Sequence, residues 1–358
     1  MSLQKLDVYY VRNIQQLSFT PSAGLNFIFG SNASGKSALL EAIYILGRAK
    51  SFRSPTIKSV IQFDQTHLLI SAYLTPESGS PYQLGIQLDG KQVDMHINHQ
   101  PTLNRADLAY ALPLQLIHPK SFALLDAGAK DRREFLDWGV FHSQPQFLDA
   151  WRHFKKVLAH RNVLLKTKKL EQLSVWNKEL AYYGTIVNEC RYQYLQQFLP
   201  VFAVIVNQFL DLGDITISLL SGWDKTKPLA QVLQDDIARD VRYGFTHSGS
   251  HRADLQITIQ GRLVKDFLSR GQLKLLILSL KLAQIQLLAE HNGLLACILI
   301  DDFAAELDRH NRSKLLHYLA NLSCQVFITA NEQLDFGDVS HFSNCKMFHM
   351  EHGSISPV

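Results

Sequence analysis

Apolar positions in the first hundred residues fall into short continuous or alternating runs bounded by turn residues, which is how strands read. They predict strands over Leu3 to Tyr10, Leu25 to Phe29, Leu68 to Leu74, Gln83 to Leu88 and Val93 to Ile97. One helix interrupts them. It opens in the Gly30 to Lys36 loop and carries Leu39, Leu40, Ala42, Ile43 and Leu46 on one face. From about Arg132 to Leu210 the period lengthens. Phe147, Trp151, Phe154, Leu158 and Leu165 follow helical steps with Arg161 in the one polar slot, and Trp176, Leu180, Tyr183, Val187, Cys190 and Tyr194 repeat the rhythm. Two such stripes joined through the polar Thr167 to Gln172 stretch predict an antiparallel helical hairpin; two core helices of a globular subdomain are the plainer alternative.

Strand character returns at Ile215 to Leu220 and Leu255 to Gln260. There follow an apolar helix from Gln272 to Glu290, a buried strand from Leu294 to Ile300, a helix from Arg309 to Leu322 and a strand from Gln325 to Thr329. Buried strands alternating with helices are what a largely parallel α/β sheet requires. The ends therefore predict one split α/β domain, residues 1–125 and 213–358, around an inserted helical arm, residues 126–212.

Composition adds limits. An apolar share of 46% suits a real core, and no repeat or low-complexity tract argues for a fibre or solenoid. Met1 to Tyr10 reads as a strand and not a leader. The longest apolar run, Leu273 to Leu288, is broken by Lys274 and Lys281, so a soluble protein with no membrane partner is expected. Cys190, Cys297, Cys324 and Cys345 form no CxxC pair, which points away from zinc and disulfides and toward a reducing cytoplasm. The formal charge of +4 says little by itself. Its distribution says more: Arg152, Lys155, Lys156, Arg161, Lys166, Lys168 and Lys169 crowd one stretch that has no acid, and without them acids outnumber bases. Of these, Arg152, Lys155, Lys156, Lys166 and Lys169 point away from the apolar seam and are candidate contacts for DNA phosphates, with a solvated helix face as the bland alternative.

Three segments carry chemistry. Gly30-Ser31-Asn32-Ala33-Ser34-Gly35-Lys36-Ser37 fits GxxxxGK[ST] between an apolar strand and an amphipathic helix. There backbone N–H groups and a helix N-terminus face an anion, Lys36 reaches the β- and γ-phosphates of ATP, and Ser37 serves Mg²⁺. The apolar strand ending at Ile300 runs into Asp301 and Asp302; at such a strand end Asp301 is the candidate Mg²⁺ acid and Asp302 the candidate base for the attacking water. Leu268-Ser269-Arg270-Gly271-Gln272 looks like the ABC signature LSGGQ with Arg270 substituted, at the start of a helix. One nucleotide does not need two anion sites from one chain. Ser269, Gly271 and Gln272 are therefore expected to close on the γ-phosphate held by a second copy.

With these motifs in place the chain resembles the RecF family of bacterial DNA-repair proteins, single-headed relatives of the SMC-type ATPases with a short arm. The resemblance is carried by Val11-Arg12-Asn13, the phosphate loop, Ser51-Phe52-Arg53, Arg132 to Gly139, His251-Arg252-Ala253-Asp254, Leu268 to Leu276 and Ile300 to Asp308. It implies an ABC/SMC-type P-loop ATPase head with mixed and parallel sheet and an inserted helical arm. It also implies Arg12 and Asn13 at the nucleotide, Glu306-Leu307-Asp308 as the loop where two subunits touch, and a slow, DNA-stimulated ATPase. ATP would drive a head-to-head homodimer on DNA, with RecO- and RecR-type partners, recombinase loading at single-strand gaps, fork recovery and the SOS response. Ala33 stands where the family has Gly, which is harmless at an ordinary φ; Thr329-Ala330-Asn331 offers no switch histidine, and Gln115 is a candidate for the Q-loop glutamine. A transporter-type ATPase subunit is the nearest alternative. The long stretch between Lys36 and Gly271, with its basic face, is not something a membrane partner requires.

Overall fold

The computed structural model describes residues 1–76, 79–89, 92–126, 128–293 and 295–358. Two compact units are present: Met1–Ser121 with Ala289–Val358, and Phe122–Leu288. Along the chain, the first unit opens with β1 (Ser2–Val11), β2 (Ile14–Phe19), β3 (Leu25–Phe29) and α1 (Lys36–Arg48). It continues with β4 (Leu68–Thr75), β5 (Tyr82–Leu88), β6 (Val93–Ile97), β7 (Gln100–Thr102), α2 (Arg105–Ala111) and β8 (Leu114–Ile117). Then come α3 (Ala123–Asp126), α4 (Ala129–Ser143), α5 (Phe147–Thr167), α6 (Leu173–Phe209), β9 (Ile215–Leu220), α7 (Leu229–Asp235) and α8 (Ile237–Tyr243). These lead to β10 (Asp254–Ile259), β11 (Arg262–Leu263), α9 (Val264–Phe267) and α10 (Arg270–Asn292). The first unit resumes with β12 (Cys297–Ile300), α11 (Phe303–Glu306), α12 (Arg309–Asn321), β13 (Val326–Ala330), β14 (Cys345–Glu351) and β15 (Ser354–Pro357). Leu294, the expected start of the strand before Asp301, lies outside the described residues.

Among the described residues, the first unit holds an antiparallel sheet, β2-β1-β4-β5-β6-β7, and a second sheet, β15-β14-β3-β13-β12-β8. In the second sheet β14, β3, β13, β12 and β8 run parallel and β15 is an antiparallel edge. Helix α1 is buried nearly all round, from Ala38 to Gly47, because its apolar residues do not keep to one stripe: Leu39, Leu40, Ile43, Ile45 and Leu46 share one core with the strands. Gln325 ties the two sheets. Its Nε2 donates to the Leu3 and Ser22 carbonyls at 2.9 and 2.7 Å, and its Oε1 accepts from Leu3 N at 2.7 Å.

In the second unit α5 and α6 pack against each other as a hairpin. The buried face of α5 is Phe147, Ala150, Phe154, Val157, Arg161 and Leu165; Trp151 and Leu158, expected on the seam, are half-buried because Val157 takes the inner position. This unit also runs past the expected arm boundary at 212. The reason is that β9 pairs with β10, α7 packs on α6, and the His251-Arg252-Ala253-Asp254 segment is bonded to α4. Arg132 makes a bidentate pair with Asp254 at 2.6 and 3.0 Å, and Arg133 donates to the Ala253 carbonyl at 2.7 Å. Helix α10 is long and apolar enough to cross a membrane, but 72% of its apolar stretch is buried within the fold, as in a core helix.

Candidate nucleotide-binding site

The phosphate loop sits at the C-terminal end of β3, and Asp301 at that of β12, with β13 between them. Parallel strands deliver their exits to one edge, so residues distant in sequence converge there. Lys36, the first residue of α1, folds back and donates to the Gly30 carbonyl at 2.6 Å, the Ser31 carbonyl at 2.9 Å and Asn331 Oδ1 at 3.3 Å. Burial pushes its ammonium below the usual lysine range, while the Asp301 and Asp302 carboxylates oppose that shift. Asp301 Oδ1 accepts from the hydroxyls of Ser37 and Thr329, each at 2.9 Å, and Thr329 Oγ1 in turn accepts from Asp302 N at 3.0 Å. The Ser34 hydroxyl is buried with no hydrogen-bond partner among the described residues.

The loop depends on close approach. A Cβ on Gly30 would collide with the Met350 carbonyl oxygen, and Gly35 takes a φ of 118° that glycine accepts at no steric cost. Ala33 has a φ of 64°, so the condition under which it would be harmless is not met: an alanine is held in the left-handed region. Asn13 braces that residue by donating from Nδ2 to the Ala33 carbonyl at 3.0 Å.

Arg12 reaches the site differently from Asn13. Its guanidinium forms a two-pronged pair with Glu41, both bonds at 2.9 Å, and donates to the Ser59 carbonyl at 2.7 Å. The Glu41 carboxylate, fully buried in α1, also accepts from the Ser51 hydroxyl and has Arg53 at 3.9 Å. The pairing with Glu41 raises the Arg12 pKa further. Arg12, Ser37, Arg53, His118, Lys120 and Asp301 line one cleft of about 460 Å³. Gln115 lies inside β8, buried and in register with Ile298, and is not among the cleft residues; His118, just past the strand, is the β8-side residue that lines it. Sequence reasoning also missed Glu41, Thr329 and Asn331 as site residues. Glu41 had a signal, since an acid inside the run Leu39-Leu40-Glu41-Ala42-Ile43 demands a cation.

The expected signature and arm residues belong to the second unit. Ser269 and Gln272 form a reciprocal cap at the start of α10: Ser269 Oγ accepts from Gln272 N at 3.3 Å and Gln272 Oε1 accepts from Ser269 N at 2.9 Å. Among the described residues, nothing beyond its chain neighbours and its own helix backbone lies within 4 Å of where a Gly271 Cβ would stand. Arg152, Lys155 and Lys156 are exposed on α5, with Lys166 and Lys169 exposed at and just beyond its end; Lys155 lies over the Trp151 ring at 5.2 Å. In the loop after β12, Asp308 caps α12 through Asn311 N at 2.9 Å.

A family model described as the RecF/RecN/SMC N terminal domain matches residues 2–355. The DNA replication and repair protein RecF of Vibrio atlanticus (strain LGP32) is 41% identical over 358 residues, covering 99% of each chain. The chain belongs to the RecF family. RecF of Pseudomonas aeruginosa (strain LESB58) is 39% identical over 360 residues, covering 99% of this chain and 98% of that one. Among solved structures, the recombination mediator protein RecF-ATP in the RecFOR pathway superposes with a TM-score of 0.88 at 24% identity, covering 100% of this chain and 97% of that one. An SMC head bound to the C-winged helix domain of ScpA superposes at 0.60 and 13% identity, with 100% and 97% covered. The RecF-family fold is thus the ABC/SMC-type head, and the edge where Lys36, Ser37 and Asp301 meet is its phosphate-loop edge.

Proposed function

We propose that this RecF-family chain is an ATP-driven, DNA-binding switch of DNA replication and recombinational repair. One observation carries the reading. Lys36 is a nearly buried cation whose described bonds go only to carbonyl and amide oxygens, an arrangement that favours an arriving anion. The residues fit Mg-ATP: the glycine cradle admits phosphate, the orphaned Ser34 hydroxyl offers a donor, and Ser37 with Asp301 supplies the oxygen ligands a hard cation takes. Bound there, Mg²⁺ would neutralise charge on the β- and γ-phosphates. Lys36 leaves the Gly30 and Ser31 carbonyls to meet the phosphates, Asn13 holds the loop, and Arg12 stays oriented by Glu41. Asp302, with its backbone N–H fixed by Thr329, orients the attacking water, and its short side chain keeps hydrolysis slow.

In this reading Ser269, Gly271 and Gln272 of one copy close on the γ-phosphate held by another, so ATP drives a head-to-head homodimer and hydrolysis releases it. Arg152, Lys155, Lys156, Lys166 and Lys169 hold DNA phosphates near single-strand gaps. The protein acts with RecR- and RecO-type mediators in recombinase loading, fork recovery and the SOS response, in the cytoplasm. Lys36→Ala tests the base of this chain of inference. Losing two charge-assisted bonds, each ~1.5–3 kcal/mol, should weaken ATP binding by more than about a hundredfold in calorimetry. Unchanged affinity would move the nucleotide to another surface.

A further inference from the structure

The loop that follows α8 carries more exposed aromatic surface than its own packing explains. Tyr243, Phe245 and His247 form one ring cluster, with centroids 5.2 Å apart for Tyr243 and His247, 4.2 Å for Phe245 and His247, and 6.2 Å for Tyr243 and Phe245. Tyr243 is 56% exposed. Two guanidinium groups lie against the rings, Arg242 over Tyr243 at 5.6 Å and Arg252 over Phe245 at 5.2 Å. Gly244 turns the chain at a φ of 74° and meets the stem of Lys166 from α5: a Cβ there would lie 3.2 Å from Lys166 Cγ. A third cation therefore borders the cluster.

The back of this loop is fixed. Thr246, between Phe245 and His247, points inward, where its hydroxyl accepts from Arg161 Nη1 at 2.7 Å and donates to Asn162 at 2.7 Å. Arg161 and Asp240 are both fully buried and bonded at 2.7 Å, and Asp240 also accepts from His247 N at 3.0 Å and faces His247 Nδ1 at 2.8 Å. His251 Nε2 meets the Thr246 carbonyl at 3.0 Å. Three acids of the helices just before the loop are engaged: Asp240 inside, Asp236 by the Ser248 hydroxyl at 2.6 Å, and Asp235 by Lys227 at 2.7 Å. What faces out is the Tyr243 ring, with Phe245 half-buried beside it and His247, its side chain only 11% exposed, behind them, edged with cations. A polyanion that also offers flat, unpaired rings meets both features. Duplex DNA hides its base faces, whereas a single strand exposes them.

We propose that Tyr243, with the half-buried Phe245 beside it and His247 bracing both from behind, forms, within the border of Arg242, Arg252 and Lys166, a stacking platform for unpaired bases of single-stranded DNA. The proposal rests on the DNA-binding reading and adds where single strand is told from duplex. Tyr243→Ala should weaken binding of a short oligothymidylate about tenfold, in the range one lost base stack costs, and leave a blunt duplex of equal phosphate number unaffected. Tyr243→Trp places a reporter on the platform. Its added fluorescence should be quenched by oligothymidylate and not by heparin, a polyanion without bases, nor by polyglutamate. Equal loss on single strand and duplex, or quenching by heparin, would overturn stacking in favour of a plain electrostatic surface. Quenching by polyglutamate alone would make the occupant an acidic protein segment. If the unmodified protein binds neither DNA with or without ATP, the DNA-binding reading itself fails; if it binds both and Tyr243→Ala changes nothing, only the platform fails.

Discussion

Replacing Arg161 with Met probes how the second unit is held. The Arg161 side chain is completely buried and donates three bonds of 2.7 Å, to Asn177 Oδ1, Asp240 Oδ2 and Thr246 Oγ1. Met fills much of the volume but removes the guanidinium from a fully buried Asp240, which keeps only its bonds to His247. Removing one partner of a buried pair typically costs ~3–5 kcal/mol, since the desolvated charge that remains is uncompensated. Against a total stability of ~5–15 kcal/mol, that is a large share. Urea unfolding followed by tryptophan fluorescence measures it selectively, because Trp138, Trp151, Trp176 and Trp223 all lie in the second unit. With a slope of ~2 kcal/mol per molar urea the midpoint should fall by ~1.5–2.5 M. Asp240→Asn added to Arg161→Met removes the stranded charge and keeps an acceptor for His247 N. The double variant should therefore regain at least ~1 kcal/mol. A single-variant loss below ~1 kcal/mol, or a double variant no better than the single, would refute the claim that this ion pair holds the arm and the loop above it.

Three other outcomes are expected. Ser269→Arg should leave ATP binding by the monomer intact and abolish ATP-driven dimers in light scattering; normal dimers would show that the start of α10 does not act on a second copy. Lys155→Ala with Lys156→Ala should weaken ATP-dependent duplex binding and lower the log–log salt slope by about 1 to 2, at ~0.9 per lost phosphate contact, with dimerisation unaltered. A full slope would place the DNA path on another face. Ala33→Gly relieves ~1–2 kcal/mol of left-handed strain against ~0.4–1 kcal/mol of added unfolded-state freedom. The melting temperature without nucleotide should rise by up to ~2–4 °C, and a fall would mean the loop does not hold this conformation.

Much of the phosphate-loop edge was legible because its residues are consecutive in sequence. A phosphate loop needs its residue types consecutively, and β3, β6 and β9 have the expected bounds: β3 is a short apolar run buried on both faces, β6 alternates throughout and β9 does so up to Leu219. What was not legible depends on distance or on φ. Residue type alone does not say that Ala33 sits at 64°. Arg161 read as a polar slot in a stripe, but its partners Asp240 and Thr246 come from another helix and the loop after it. The exchange of Trp151 and Leu158 for Val157 is a small rotation of α5, and both choices are apolar. Strands β14 and β15 escaped because Lys346, His349 and Glu351 interrupt the apolar signal near a sheet edge, where one side needs no core. Strand β8, only four residues long, is too short to show a period; missing it drew attention to Gln115 and away from His118.

Glycine use separates what this chain needs for itself from what it offers to something else. At Gly139 a Cβ would collide with the Tyr194 ring, and at Gly30 with the Met350 carbonyl, so the chain's own packing demands both. Gly271 is different. It sits in the first turn of α10 in open space, at a φ outside the left-handed region, and the Ser269 and Gln272 cap requires nothing of it. A glycine inside a helix costs ~1 kcal/mol relative to alanine. A cost carried with no internal return fits a backbone that must come close to an external group. The cap points the same way, since it engages the N–H groups that the proposed dimer would turn toward the γ-phosphate. In the monomer the two N–H groups are satisfied within the cap, Gln272 N by Ser269 Oγ and Ser269 N by Gln272 Oε1. A second copy's phosphate would compete for those N–H donors and would also take the Ser269 O–H, which the cap does not use, since bonds to an ionised acceptor are about twice as strong as neutral ones. The ATP dependence of dimerisation would then reside in the exchange of one cap for another.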